Sequence, residues 1–569
     1  MGARAVRVVT EVAAVDRPFD YALGEGFERT SVGDRVRVDF NHRSVRGWVV
    51  EEVDAREDLK PLTKWLGYGP PASLLGLLTW ASTRWYGQFS RFLKAASPTR
   101  LVTSLPVAPA AAPLAATVSR LALAPPPGVI QVSPTTDPLP LVLSVYEATR
   151  QSGGSLLVLV PTEAWATRLR GRLEQRGCAV ASRETEWDRM RAGWPVVVGS
   201  RGAALAPVPT VGAAVVIDAD DELFRSESAP TWDSVTMLKE RCRRDGAPLW
   251  CTSMIPSPSL TAGQTCGVES DVTHGWPRVT VIDRRLSDPH DGVLSRDALA
   301  SAHRSLLGSE PIAVAVVLQR LGTGRLFVCP RCGELARCAQ CAQPEQESGE
   351  SLACVDGHSP RANFCRSCGA VNLKRVRVGV TTLARDVAAQ LAQPVSEVTA
   401  KTPANESLHR VVVGTEAIWQ RVRRCSTVIF VDFDQYLLAP RESARRDAAT
   451  AVGKAGRLVG SRREGRGEVV LQTRRREDVV VTSVLRGDVT PIIEEDVETA
   501  RLLGLAPFGA LANLSGEGAA EFVQVLHDPG LTVSETASGF TLRAPNVESL
   551  TGALAQAPRP TGRLRVAVQ

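Results

Sequence analysis

The chain opens on a two-residue alternation of apolar and polar positions. VRVVTEVA (6–13), FDYAL (19–23), DRVRVDF (34–40) and GWVVEEV (47–53) are separated by Gly and Asp turns, with Gly33 and Gly47 at the breaks. A period of two sends successive side chains to opposite faces, so this stretch predicts a small β-rich domain. The spacing then lengthens to three and four in SLLGLLTWASTRWYGQFSRFLKAA (73–96), which predicts helix. Residues 101–129 are rich in Ala and Pro, include LALAPPPG, and read as a linker.

From about residue 130 the pattern changes to short, unbroken apolar runs. LLVLVP (156–161), PVVVGS (195–200), AAVVIDAD (213–220) and PLWCTS (248–253) end in small or acidic residues, with helical stretches such as TEAWATRLRGRLEQRG (162–177) between them. Buried parallel strands read this way, and ligands dock at their carboxyl ends. A second set follows in RVTVID (278–283), PIAVAVVL (311–318), LKRVRVGV (373–380), HRVVVGTEAI (409–418) and STVIFVDFD (426–434). The last segment adds a helix, the turn LAPFGAL, an amphipathic stretch and the closing strand GRLRVAV. At 569 residues the chain exceeds a single core. The fold class is α/β, divided into a β-rich domain (1–100), the linker (101–129), one α/β lobe (130–275), a second lobe (276–328 and 370–482) split by an insertion (329–369), and a small α+β domain (483–569).

The insertion carries the most specific chemistry. Seven of the twelve cysteines fall between Cys329 and Cys368, three times as CxxC: Cys329/Cys332, Cys338/Cys341 and Cys365/Cys368. A CxxC turn points two thiolates at one place, half of a tetrahedral zinc site. Cys354 and His358 supply a fourth half, which completes the eight ligands of two closed sites. The favoured grouping is Cys329, Cys332, Cys365 and Cys368 for one ion, with Cys338, Cys341, Cys354 and His358 for the other, although neighbouring CxxC pairs can also share or interleave. No position is left open for a reactive water, so both zincs are expected to be structural. A disulfide or redox cluster is the competing reading, and the absence of an export signal weighs against it.

Composition adds two constraints. With 44% hydrophobic and 22% charged residues the chain is globular, and no apolar run approaches the ~20 residues of a membrane span. A reducing, cytoplasmic setting is expected. The net charge of +6 is unevenly placed, with Arg421, Arg423, Arg424, Arg441, Arg445, Arg446, Lys454, Arg457, Arg462, Arg463, Arg466 and Arg474 to Arg476 in one stretch. That density suits a polyanion's backbone, and a solvated Arg-rich face is the equal alternative.

Two α/β lobes, the second split by paired CxxC knuckles and preceded by a small β domain, resemble the primosomal protein N′ (PriA) family of bacterial replication-restart helicases over nearly the whole chain. DRPFDYALGEG and VGDRVRVDFNHRSVRGWVV look like that family's domain for the 3′ end of a nascent DNA strand. The resemblance implies that Phe19, Asp20 and Tyr21 form the end-binding triplet, with Lys60 near the same pocket. Asn41 stands where the family has a glycine. A carboxylate suits a free 3′ hydroxyl, and Phe19 or Tyr21 can stack on a base. It further implies that the lobes are RecA-like. RLLGLAPFGALANLSG and GRLRVAV look like the family's C-terminal fork-binding domain, whereas only the 101–129 segment stands where the family carries a winged helix.

The departures lie in the nucleotide motifs. A phosphate loop needs glycines, whose backbone N–H groups approach phosphate, and a Lys that reaches the β and γ phosphates. The corresponding stretch is VSPTTDPLPLVLSVY, with Pro138 at the Lys position, Leu139 at the magnesium-binding hydroxyl and no glycine from 132 to 146. Of the family's Asp-Glu-x-His, Asp218 remains as a metal ligand, but Ala219 replaces the Glu. Lys454 and Arg457 in GKAGR resemble the arginine-rich motif, and Thr450 replaces its Gln. Asp218, Lys454 and Arg457 therefore read as a vestigial nucleotide site. No catalytic residue is assigned, and bound ATP and magnesium are not expected.

The function expected is recognition of stalled or branched forks with a nascent 3′ end. Other restart factors and single-stranded-DNA-binding protein would be recruited, without ATP-driven unwinding, by a nucleoid-associated monomer. An active 3′-to-5′ helicase with an unconventional nucleotide site is the enzymatic alternative. A zinc module that binds only proteins is the third.

Overall fold

The computed structural model describes residues 4–12, 17–114, 124–182, 185–288, 291–319, 327–332, 334, 336–340, 345–348, 351–354, 358–371, 373–375, 380–403, 405–439, 441–526, 528–536 and 538–568. Its first sheet runs β2-β1-β4-β3-β5 and is antiparallel: β1 (Arg4–Thr10), β2 (Phe19–Leu23), β3 (Arg35–Phe40), β4 (Arg43–Asp54) and β5 (Lys64–Gly67). The alternating apolar positions Val6, Val8, Tyr21, Val36, Val38, Val49 and Leu62 close one small core. Gly33 takes φ +98°, and a Cβ there would lie 1.8 Å from the Pro70 carbonyl oxygen, so only glycine fits. The helical stretch divides into Ala72–Arg84 and Phe89–Ala96, with Tyr86 at φ +48° in the break. Residues 101–114 form neither helix nor strand, yet Tyr146 donates its hydroxyl to the Ala112 carbonyl at 2.7 Å and Leu114 is buried.

The second sheet comprises β6 (Gly128–Gln131), β7 (Ser155–Leu159), β8 (Val180–Ser182), β9 (Val196–Gly199), β10 (Val211–Val216), β11 (Leu249–Ser253) and β12 (Cys266–Val268), in the order β12-β6-β11-β10-β7-β9-β8. From β11 to β8 every neighbouring pair is parallel. β7, β9 and all of β10 but Gly212 are buried, as doubly covered strands must be.

A third sheet begins with β13 (Arg278–Asp283) and β14 (Val314–Val317), after which the chain leaves it for the cysteine insertion. The insertion holds β15 (Phe327–Val328), β16 (Glu345–Ser348), β17 (Ser351–Cys354), β18 (Arg361–Ala362) and β19 (Lys374–Arg375). The sheet then resumes with β20 (Val395–Val398), β21 (Val411–Gly414), β22 (Thr427–Phe430) and β23 (Glu468–Thr473), giving the parallel order β13-β23-β22-β14-β21-β20. Of LKRVRVGV, residues 376–379 lie outside the described residues, and the described part does not join this sheet, contrary to the expectation from its pattern. Lys374 and Arg375 pair antiparallel with Phe327 and Val328 as the stem of the insertion, and a helix runs from Val380 to Leu391. The pattern also passes over β20 and the buried β23. In EVVLQT the polar Glu468 and Gln472 interrupt the apolar run, but both are satisfied inside. Glu468 accepts from the Thr280 hydroxyl (2.7 Å) and Arg304 (3.2 Å), and Gln472 donates to the Val293 and Val431 carbonyls (2.8 and 3.0 Å).

The C-terminal sheet is antiparallel in the order β25-β26-β24-β27, with β24 (Ala510–Ser515), β25 (Thr532–Thr536), β26 (Gly539–Ala544) and β27 (Arg565–Val568). By contact the chain forms two units: Met1–Ile130, Asp137–Gly267 and Ala500–Gln569 in one, Gln131–Thr136 and Val268–Thr499 in the other. Residue 483 falls inside the helix Val479–Arg486, which packs on β13 in the second unit.

Candidate functional site

In the insertion the sulfurs of Cys329, Cys332, Cys365 and Cys368 all lie within 4.8 Å of one another. Cys329 and Cys368 are 3.4 Å apart, Cys332 and Cys365 3.5 Å. A disulfide would hold two sulfurs at about 2.0 Å. A tetrahedral zinc with bonds of about 2.3 Å sets ligand atoms about 3.8 Å apart, so this donor set fits a metal. The Arg331 N–H donates to the Cys329 sulfur at 3.4 Å. Burial opposes ionisation of Cys329, but the backbone N–H groups of Cys332 and Arg331 bring its thiol down to about 6, while burial pushes the neighbouring Cys332 thiol up.

Cys338, Cys354 and His358 form a second group, with His358 Nδ1 3.5 Å from the Cys338 sulfur. The turn at Cys338 repeats the first knuckle, its sulfur accepting from the Gln340 N–H at 3.4 Å. Cys341, the expected fourth ligand, lies outside the described residues.

An ion pair that ligand spacing did not reveal joins a residue within the second group's span to one between His358 and Cys365. Glu345, opposite Cys354 across β16 and β17, is 2% exposed, and the Arg361 Nε donates to its two carboxylate oxygens at 2.9 and 2.8 Å. Arg361 also donates to the Phe364 carbonyl, next to Cys365. The pair thus braces the segment that joins one ligand group to the other.

In the N-terminal domain β2 carries Phe19, Asp20 and Tyr21. Asp20 faces Arg7, whose Nε donates to it at 2.9 Å, and Arg56 is 3.8 Å away. Phe19 stands edge-on to Phe40 at 5.0 Å, with the Arg17 guanidinium 5.0 Å from its ring centre. Tyr21 differs from the expectation that its ring can stack on a base. It is 4% exposed within the domain core, and its hydroxyl donates to the Asp39 carbonyl at 3.2 Å. The period-two pattern itself requires this, because Tyr21 shares a face with Val6 and Leu62. Lys60 pairs with the Asp39 carboxylate at 3.1 Å, near the same strand end. Phe19, Asp20 and Lys60 are the members of the expected set with side chains open to solvent in part.

At the carboxyl ends of the lobe strands the acidic and basic residues bond to the protein itself. Asp218, buried at φ +54° after β10, donates its N–H to the Thr252 hydroxyl at 3.2 Å, and the Ala219 N–H donates to the Thr252 carbonyl at 2.8 Å. Asp220 accepts from the Ser253 hydroxyl (2.8 Å) and the Ser257 N–H (3.1 Å). Pro138 caps the helix Leu139–Thr149, and Asp137 accepts from the Leu139 N–H at 3.1 Å and from Arg172 at 2.8 Å. Gln131–Thr136, the loop where phosphate would be cradled, belongs to the second unit. There Glu269 accepts from the Ser133 N–H (2.8 Å) and the Thr136 hydroxyl (2.6 Å), and Arg457 donates from Nε to the Pro134 carbonyl at 2.9 Å. Lys454 lies half-buried on the same helix as Arg457, Ala444–Val459.

A cleft of about 520 Å³ in the first unit has Arg91, Arg559, Arg563 and Arg565 around Trp85 and Tyr86. The Arg559 guanidinium is 4.7 Å from the Tyr86 ring centre, while Arg91 and Arg565 donate to the Ala229 and Glu227 carbonyls at 2.8 and 2.7 Å. Its walls come from segments more than 400 residues apart, so no local motif announces it.

The family model of the 3′ DNA-binding domain (3′BD) matches residues 7–98. The probable replication restart protein PriA of Mycobacterium leprae is 26% identical over 578 aligned residues, covering 89% of this chain and 86% of that protein. The replication restart protein PriA of Thermotoga maritima is 23% identical over 397, covering 64% of this chain and 53% of that protein. Among solved structures, the Mycobacterium smegmatis helicase Lhr superposes with a TM-score of 0.37 at 12% identity, covering 75% of this chain and 57% of that one.

Proposed function

The chain is a member of the replication restart protein PriA family, and from that premise we propose that it grips branched DNA and gathers restart factors without unwinding DNA by ATP hydrolysis. The observation that carries the second half is the loop after β6. It has no glycine and no Lys, it has prolines at 134 and 138, and its Ser133 N–H is already bonded to Glu269. A phosphate cradle uses glycine-rich N–H groups and a Lys, and proline removes a donor wherever it stands.

The DNA contacts rest on Asp20, Phe19 and Lys60 in the N-terminal domain, with the Arg-dense 421–476 region adding phosphate contacts. Asp20 would receive the terminal 3′ hydroxyl by exchanging part of its bond to Arg7. The insertion would hold two zincs, one on Cys329, Cys332, Cys365 and Cys368, the other on Cys338, Cys341, Cys354 and His358. Zinc there supplies folding of a short-stranded module and no chemistry. The Arg-lined cleft offers an anionic partner a place to dock.

The likeness to restart helicases over 89% of the chain favours a second reading, an active 3′-to-5′ motor. Purified protein assayed for ATP hydrolysis with and without forked DNA separates the two. We expect no DNA-stimulated turnover, alongside fork binding whose affinity falls with salt by a log–log slope of about 0.9 per phosphate contacted. Turnover that Asp218→Ala abolishes would establish the motor. Asp20→Ala should erase the preference for a fork with a 3′ end at the junction while leaving the salt slope intact.

A further inference from the structure

We infer that Glu269 is the resident anion of the loop after β6. Its carboxylate occupies the donors on which a phosphate would sit, and Arg457 serves as a clasp on that loop rather than as a finger for a nucleotide. The inference rests on the ATP-independent reading and adds what holds the loop in place of nucleotide.

Three sets of bonds carry it. The Glu269 Oε2 accepts from the Ser133 N–H at 2.8 Å and from the Thr136 hydroxyl at 2.6 Å, while the Ser133 and Thr136 hydroxyls lie 2.8 Å apart. One carboxylate oxygen therefore gathers a backbone donor and a side-chain donor, as a phosphate oxygen does in a working loop. The Glu269 N–H in turn donates to the Gln131 carbonyl at 2.9 Å, which fixes the residue from its backbone. On the other side the Thr135 hydroxyl donates to the Gly275 carbonyl at 2.9 Å. A Cβ on Gly275 would lie 2.0 Å from the Ser133 Oγ, so only a glycine there lets the Ser133 side chain pack against that backbone. Finally Arg457 places its Nε 2.9 Å from the Pro134 carbonyl. In GKAGR this is the residue expected to meet a γ phosphate, and here it meets the loop backbone.

The arrangement is self-complementary. Ser133 is 5% exposed, and without Glu269 its buried N–H would lack a partner. The carboxylate is what allows a glycine-free, proline-containing loop to keep the bend between β6 and the helix Leu139–Thr149.

Hydrogen exchange on the full-length protein, read by mass spectrometry over peptides spanning 131–137, tests this. In the wild type those amides should be slow, and millimolar ATP with magnesium should leave them unchanged. Glu269→Ala should speed them about 10- to 100-fold, the loss expected for a charge-assisted hydrogen bond, while peptides over 156–159 stay slow. Glu269→Gln keeps an acceptor oxygen and should speed them less than 10-fold. Arg457→Ala should loosen the same peptides by a smaller factor than Glu269→Ala. Equal protection in wild type and Glu269→Ala overturns the inference, as does slowing of the wild-type loop by ATP. Should Glu269→Ala unfold globally, wild type is compared with Glu269→Gln instead, and equal exchange in those two overturns the inference. ATP turnover by the wild type would defeat the ATP-independent reading by a separate readout, leaving the exchange pattern to decide Glu269 alone.

Discussion

The insertion and the carboxyl ends of the lobe strands treat their polar residues in opposite ways. In the insertion, four sulfurs converge within 4.8 Å of one another, two pairs of them 3.4 and 3.5 Å apart, and the described cysteines form no disulfide. At the strand ends, Asp220, Asp434 and Glu269 are met by hydroxyls and N–H groups of the chain itself. The first region is built for an external ion. The second has turned inward. A chain of this family that had lost its motor but kept its scaffold would show this contrast, because ligands that hold structure remain under demand when ligands that turn over do not.

The contrast breaks most easily at the sulfurs. Cys365→Ser removes one of four ligands from the first group, and structural zinc is worth about 10 kcal/mol or more of apparent folding energy in small modules. We expect elemental analysis to find one metal ion fewer per chain and amides across 327–375 to exchange freely. The two lobes, whose cores lie elsewhere, should remain folded. Unchanged metal content would place the sulfurs in the same inward-turned class as the carboxylates.

The Glu345–Arg361 pair sharpens the contrast, since it is the inward-turned element inside the outward-turned region. Arg361→Ala leaves a carboxylate that is 2% exposed without its guanidinium and should cost about 3 kcal/mol in the insertion's stability. Replacing both partners, Arg361→Met with Glu345→Leu, should be near neutral by the same reasoning, because no unpaired charge is left. Denaturation followed with the metals bound checks both. A double variant as unstable as the single one would mean that the pair orients the ligands as well as satisfying itself.

Much of this was legible in the residues, and the illegible part has a common cause. The CxxC spacing announced four-sulfur chemistry because its meaning is local, two thiolates across one turn. The parallel strands β7, β9, β10 and β11 announced themselves because burial on both faces leaves an unbroken apolar run. β23 stayed hidden because Glu468 and Gln472 are polar by name yet satisfied by partners 41 to 188 residues away. The start of LKRVRVGV misled in the other direction, since alternation cannot say whether Lys374 and Arg375 join the sheet or the stem of an insertion. Tyr21 was legible as an aromatic residue in the end-binding triplet but not as a buried one, although its register with Val6 already placed it inside. Glu269 and Arg457 each needed a partner more than 130 residues distant to acquire a role.

The smallest effect concerns Asp432, beyond β22, where the inward-turned class can be tested against an external cation. Burial pushes its carboxyl up to about 6, the neighbouring Asp434 charge adds to this, and Arg474 opposes it. Gln435 donates to it at 3.1 Å. The folded protein therefore holds this proton more tightly than the unfolded chain does between about pH 4 and pH 6, and stability from this residue is lost as pH rises through that window. That gap is worth up to ~3 kcal/mol, which the half-buried position reduces to ~1 kcal/mol. Asp432→Asn mimics the protonated form, so it should leave stability unchanged near pH 4 and raise it by ~1 kcal/mol at pH 7 to 8, removing the fall that this residue contributes between about pH 4 and pH 6. Magnesium supplies the discriminating arm. A carboxylate kept for a divalent cation would be stabilised as the anion when magnesium is added, and the wild-type profile would flatten toward that of the variant. A carboxylate that answers only to Gln435, Asp434 and Arg474 gives the same profile with and without magnesium, and this is the outcome that the contrast between thiolates and carboxylates requires.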